Sequence, residues 1–206
     1  MKLILKVKTY YRFWEFRLRA EKESIRFLLN KDLKGTTAID KGANKGVYTY
    51  WMSKKVTNNG KVYSFEPQPE LGLFLNELKD SFALQNTEVI NKGLSSGKGD
   101  VNLYRRKVGD GRAMIGIEGN KLFDPSGKER IGVQVITLDD FLDTKKNTCI
   151  SFIKCDVEGH ELEVFKGGEE TLKKHKPILL FECHHQEALQ GDIFRFLEKL
   201  GYSGFF

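Results

Sequence analysis

From position 36 onward the chain alternates between strand-like and helix-like segments, and this alternation limits its fold more than any other feature. Short runs rich in β-branched and aromatic residues predict strands over Thr36–Asp40, Lys61–Phe65 and Val89–Asn91. Helical spacing predicts helices over Gly46–Lys55 and Pro69–Asp80, the second carrying Leu71, Phe74, Leu75 and Leu78. Strand, helix and strand joined by short connections argue for parallel pairing in layers. The expected fold class is therefore α/β, a doubly wound, mostly parallel sheet.

The pattern lapses from Ser95 to Arg130, which is polar and glycine-rich and predicts a hairpin-like insertion or flap. It resumes with a helix start at Thr137–Phe141, a strand over Ile150–Cys155, a helix from Glu161 to Lys174, a buried strand over Pro177–Cys183 and a helix over Ala188–Leu200. A sixth strand begins at Gly201 and no sequence follows for a seventh, so the sheet is expected to lack its last edge strand.

At 206 residues the chain fits one domain, with a basic helical leader over about 1–35 and the insertion over about 95–130. The leader holds ten Lys and Arg against four Asp and Glu, which accounts for the whole formal charge of +6. It also holds Tyr10, Tyr11, Phe13, Trp14 and Phe16. Two readings follow: the aromatics pack on the domain while the cations stay in water, or the segment makes peripheral contact with a membrane or an anionic polymer. No apolar run approaches the ~20 residues of a membrane span. Lys6 and Lys8 interrupt the first apolar stretch, so a secretory signal is not expected and cytoplasmic residence is the default. Cys149, Cys155 and Cys183 form no C-x-x-C pair and are odd in number, which favours reduced thiols.

The loop after the first strand reads AIDKGANKGVY. A pyrophosphate fingerprint starting at Gly42 needs glycine at positions 44 and 47, where Asn44 and Val47 stand, so that fingerprint fails. What remains is D-x-G-x-N-x-G, from Asp40 through Gly42, Ala43 and Asn44 to Gly46. Gly and Asn still permit a tight turn that brings backbone against a ligand. A carboxylate at the strand tip repels pyrophosphate and attracts an ammonium group, and S-adenosylmethionine carries such a group with no phosphate. Glu66, ending the second strand, suits the two hydroxyls of a ribose in either kind of cofactor.

FIKCDVEGHE sets charged groups directly after a strand expected beside the first, so Asp156 and Glu158 should face the same crevice as Asp40. Asp156 serves either the reacting centre or the cofactor's amino group. Lys154 nearby also allows a purely structural ion-pair cluster.

DKGANKGVYTYW, YSFEPQPEL, FIKCDVEGHELEVFKGG and LLFECHH, in that order, resemble the FkbM family of S-adenosylmethionine-dependent methyltransferases. The resemblance covers about Ile25 to Tyr202. It implies the Rossmann-like, class I methyltransferase form of the doubly wound sheet and methylation of hydroxyl oxygens on glycans, lipids or related small molecules. It also implies that Asp40, Gly42, Ala43, Asn44 and Gly46 hold the methionine end, Glu66 the ribose, and that Asn91 and Lys92 lie near adenine. Lys41 departs from the family, which usually has an apolar residue there.

A hydroxyl acceptor needs a base, and Asp156, Glu158, His160 and His184 are the candidates. Asp156, Glu182 and His184 could instead hold a divalent metal, although no ligand spacing resembles a known metal motif, so none is assigned. RNA methylation is disfavoured because Asp156-Val157-Glu158-Gly159 stands where base-amine methyltransferases carry an Asn/Asp-Pro-Pro-aromatic pattern. A non-catalytic cofactor-binding module and an NAD-dependent oxidoreductase are the remaining alternatives.

Overall fold

The computed structural model describes residues 1–116, 124–145, 149–183 and 191–204. Its centre is a five-stranded sheet, all parallel, built from β1 (Thr37–Lys41), β2 (Lys61–Phe65), β3 (Thr87–Ile90), β8 (Ile150–Cys155) and β9 (Ile178–Phe181). The spatial order is β3-β2-β1-β8-β9. Chain progression reverses between β1 and β8, which is where an open parallel sheet leaves a crevice beyond its strand ends. All five residues of β1 are buried, as expected of a central strand covered on both faces.

Helices α1 (Leu3–Glu15), α2 (Lys22–Leu29), α3 (Val47–Val56) and α4 (Pro69–Ser81) contribute Phe13, Ile25, Leu28, Trp51, Met52 and Leu78 to the core on one face. A π-helical turn, Phe16–Ala20, joins α1 to α2. The other face packs α5 (Leu138–Asp143), α6 (Glu161–Lys166), α7 (Glu169–His175) and α8 (Asp192–Lys199) through Leu138, Val164, Phe165, Leu172 and Leu197. In α3, Val47 to Ser53 and Val56 are all buried, because the helix lies between the sheet and the leader, and only its last turn reaches solvent, at Lys54 and Lys55.

Three expectations change in detail. The helix predicted from Glu161 to Lys174 is two helices, with Gly167 capping the end of the first and Gly168 the start of the second, and only glycine fits at 167 because a Cβ there would run into the backbone carbonyl of Ser95. Within the leader, Phe13 is fully buried and Trp14 packs edge-on against Trp51, whereas Tyr11 remains 64% exposed. Tyr202 to Gly204 form no strand, and residues 205–206 lie outside the described ones.

The polar segment after β3 builds a second sheet from β4 (Gly93–Leu94), β5 (Gly99–Arg105), β6 (Met114–Ile115) and β7 (Glu129–Ile136), in the order β4-β7-β5-β6. β5 pairs antiparallel with β7 over seven residues and with β6 at Leu103 and Tyr104. Alternating burial along β5 and β7 marks a sheet with one covered face.

Candidate functional site

The crevice forms where β1, β2 and β8 end. It is lined by Lys41 at the end of β1 with Gly42 and Asn44 after it, Glu66 to Gln68 after β2, and Asp156 to Glu158 after β8. The hairpin closes it with Leu103, Gly111, Ala113 and Ile115.

The loop after β1 is shaped by backbone needs. Gly42 and Gly46 have φ of 73° and 74°, and Asn44 has φ of 48°, all in the left-handed region. A Cβ on Gly42 would collide with the Asp156 carbonyl, so glycine lets the loops after β1 and β8 touch. A Cβ on Gly46 would meet Leu75 and Leu78 at 2.9 and 2.8 Å, so this glycine serves the packing of α3 on α4. The amides of Gly42 and Ala43 both donate to Phe65 O at 3.1 Å, which fixes the loop to the end of β2.

Glu66 is 4% exposed, and its two oxygens accept from the amides of Asn44 at 2.9 Å and Gln68 at 3.0 Å. Burial pushes its carboxyl above the usual range, against the pull of those amides and of Lys41. Each oxygen keeps a further lone pair for a ligand hydroxyl. Asn44 Oδ1 is buried with no hydrogen-bond partner among the described residues.

Asp40 does not stand where the sequence reading put it. Side chains alternate along a strand, and this one points towards α3, where it is 0% exposed and accepts from Thr49 Oγ1 at 2.6 Å. It is absent from the crevice lining, so in this geometry it does not itself meet a ligand amine. Burial pushes its carboxyl up, while Lys154 and Thr49 pull it down. Lys154 Nζ lies 3.9 Å from Asp40 Oδ1 and 3.2 Å from Asp156 Oδ2, and it donates to Gly42 O at 3.1 Å. Burial alone would lower the Lys154 ammonium, but Asp40 and Asp156 outweigh it and hold it above its ordinary value.

Lys41 follows the alternation to the opposite face of β1. Its side chain is 2% exposed, reaches the crevice, and makes no hydrogen bond or ion pair among the described residues. Burial pushes its ammonium down, with Cys155 and Glu66 acting against that. Lys41 therefore does not compete for Asp40, whose neighbouring cation is Lys154.

Asp156, Glu158 and Glu182 bring carboxylate oxygens within 4.8 Å of one another. Exposed acidic groups often meet in this way without an ion, and no metal is assigned to them. His160 lies away from the crevice: it is 6% exposed, and its Nε2 is 2.9 Å from Ser95 Oγ. Burial and the Lys41 charge push its imidazole down to about 4, so at neutral pH it carries no charge. His184 lies outside the described residues. Asn91 uses its amide to hold the carbonyls of Glu66 at 2.7 Å and Gln68 at 3.2 Å, and neither Asn91 nor Lys92 lines the crevice.

The sequence reading missed how the hairpin is fastened over the site. Gln68 Nε2 donates to Asp110 O at 2.9 Å, and Arg105, 3% exposed, grips both Glu70 oxygens at 2.8 and 3.1 Å and Glu129 at 2.9 Å. The only sequence signal was an arginine inside the alternating run VNLYR.

A parallel sheet reversing between β1 and β8, with an acidic residue ending β2 and a glycine-asparagine loop after β1, defines the class I methyltransferase fold. Two solved structures share it: an FkbM methyltransferase from Methylobacillus flagellatus (TM-score 0.58, 17% identity, 95% of this chain) and a putative rRNA-methylase from Clostridium thermocellum (TM-score 0.52, 12% identity, 86% of this chain). The chain spans 48% of the first of these structures and 78% of the second. The methyltransferase FkbM domain model matches residues 40–203, so the chain belongs to the FkbM methyltransferase family. Among curated relatives it is 29% identical to hexuronic acid methyltransferase AglP of Haloferax volcanii, over 86% of this chain and 69% of the relative. It is 28% identical to methyltransferase sdnD of Sordaria araneosa, over 80% of this chain and 72% of the relative. No helix among the described residues is long and apolar enough to cross a membrane.

Proposed function

We propose that the chain transfers the methyl group of S-adenosylmethionine to a hydroxyl oxygen of a carbohydrate or related small molecule, with a uronic-acid sugar as the first acceptor to test. The observation that carries the reading is the unpartnered, buried Oδ1 of Asn44 beside Glu66, at the switch point between β1 and β8. A buried acceptor without a donor is costly, and a ligand amine supplies one. The carbohydrate preference is supported by the similarity to the hexuronic acid enzyme.

In this reading Glu66 accepts hydrogen bonds from the ribose hydroxyls and Asn44 Oδ1 accepts one from the donor's ammonium. Bound S-adenosylmethionine supplies an electrophilic methyl on a sulfonium. Asp156, committed to Lys154, orients groups at the centre. Glu158 faces the crevice on a turn whose φ is 54°, and it takes the hydroxyl proton as the oxygen attacks. The hairpin residues Leu103 and Ile115 exclude water from the aligned pair.

Titration calorimetry with S-adenosylmethionine, then transfer of labelled methyl to hexuronic acid glycosides, tests the proposal. Glu66→Gln should weaken donor binding by about 10- to 100-fold, since it loses a charged acceptor. Glu158→Gln should keep donor affinity and slow turnover by about a hundredfold or more. Absence of donor binding by the intact protein overturns the reading.

A further inference from the structure

Helix α1 has two apolar faces, and only one of them is used by the domain. Thr9 and Phe13 are 3% and 0% exposed, Phe13 stacks on Tyr50 with ring centroids 4.2 Å apart, and Trp51 Nε1 donates to Phe13 O at 3.2 Å. On the opposite side Leu3, Ile4, Val7 and Tyr11 are 76%, 73%, 61% and 64% exposed. At about 100° per residue, these four fall in one stripe roughly 100° wide, directly away from Thr9 and Phe13. A surface helix of a soluble domain normally turns charge outward at that position.

The margins of the stripe are basic. Lys8 and Arg12 follow the stripe on one side and Lys6 on the other; none of the three makes an ion pair among the described residues, although Lys6 also lies over the Phe82 ring at 5.4 Å, and the first 35 residues contain the chain's entire excess of positive charge. We propose that α1 is a peripheral docking helix for an anionic phospholipid surface, with Leu3, Ile4, Val7 and Tyr11 entering the acyl boundary and the flanking cations meeting lipid phosphates.

Charge and shape choose this occupant. A nucleic acid would satisfy the cations but leave three aliphatic side chains in water. A second copy would bury the aliphatics but bring one excess of six positive charges against another. A bilayer surface satisfies both at once. The helix has 13 residues, about 20 Å at 1.5 Å per residue, which suits lying in the interface rather than crossing it.

Co-sedimentation of the full chain with vesicles tests the proposal, using phosphatidylcholine alone and phosphatidylcholine with phosphatidylserine. Binding is expected to the mixed vesicles, weaker to the neutral ones, and reduced by added salt. Replacing Leu3, Ile4 and Val7 together by Ser should weaken binding by about a hundredfold or more while leaving the thermal midpoint of these exposed positions' host fold in place. Lys6→Glu with Lys8→Glu, one on each side of the stripe, should abolish the preference for phosphatidylserine. No binding to mixed vesicles, equal binding to both kinds, or full binding by the triple Ser variant each overturns the proposal. So does a dimer in solution that the triple variant dissolves while vesicles remain unbound.

Discussion

The Lys154 ammonium sits 3.2 Å from an Asp156 carboxylate oxygen, so the acid at the crevice is held by a cation rising from the strand beneath it. The same ammonium lies 3.9 Å from Asp40, which is wholly buried. Asp40 therefore acts on the site through Lys154.

Removing that lysine should expose the dependence. Lys154→Met leaves Asp40 buried without its compensating cation and should cost about 3–5 kcal/mol of stability. Asp40→Asn in the same background should restore part of the loss. A double-mutant cycle by denaturant unfolding measures the coupling, and additive effects would contradict the pairing.

Gly42→Ala should be far more damaging than Gly46→Ala. The first places a methyl against a backbone carbonyl of Asp156, which cannot rotate away, whereas the second meets the ends of Leu75 and Leu78 side chains. Both positions have left-handed φ and share a penalty of about 1–2 kcal/mol. Thermal unfolding of the two variants should therefore differ, with donor binding lost in Gly42→Ala.

Lys41→Met should stabilise the ligand-free protein. The folded-state value of Lys41 is pushed below its ordinary 10.5, so folding disfavours the charged form. The penalty is full below the folded value and disappears above 10.5. Replacing the lysine removes it at neutral pH, with a gain of about 1–3 kcal/mol and a rise of several degrees in thermal midpoint. A lower midpoint would show that the ammonium is held by the fold.

His160 should give stability an acid limit. Its folded value of about 4 lies below its ordinary 6.5, so the unfolded chain binds the proton more readily between these limits. Stability is complete above pH 6.5 and is lost as pH falls towards 4, by up to roughly 3 kcal/mol at 1.36 kcal/mol per unit. Unfolding midpoints measured across that window should fall more steeply for the native protein than for His160→Gln.

The sequence made the layered sheet readable because each strand and helix is short, periodic and local. It also placed β8 beside β1, since in an open doubly wound sheet the strand order reverses across the crossover next to the first strand. The direction of Asp40 was not readable: a strand-tip residue faces either crevice or helix, and the choice between positions 40 and 41 is fixed by sheet register. The pairing of β5 with β7 joins Leu103 to Ile131, a separation that no local pattern encodes. Gly167 and Gly168 divide a helix that its flanking residues would continue, and the contacts that call for glycine there, with Ser95 and Leu138, come from segments distant in sequence. The place of Glu66 and Asn44 in the crevice was legible because both stand in the loops that directly follow predicted strands.

The sealing of Asp40 and Lys154 sets how the pair responds to dissolved ions. Their side chains are 0% and 7% exposed, compared with 42% and 46% for the surface pair Glu169 and Lys173. Mobile counterions screen the outer pair and have little access to the inner one. The field that this inner pair sets beneath the crevice is thus a property of the fold, and it varies far less with ionic strength than the fields of the protein's surface pairs.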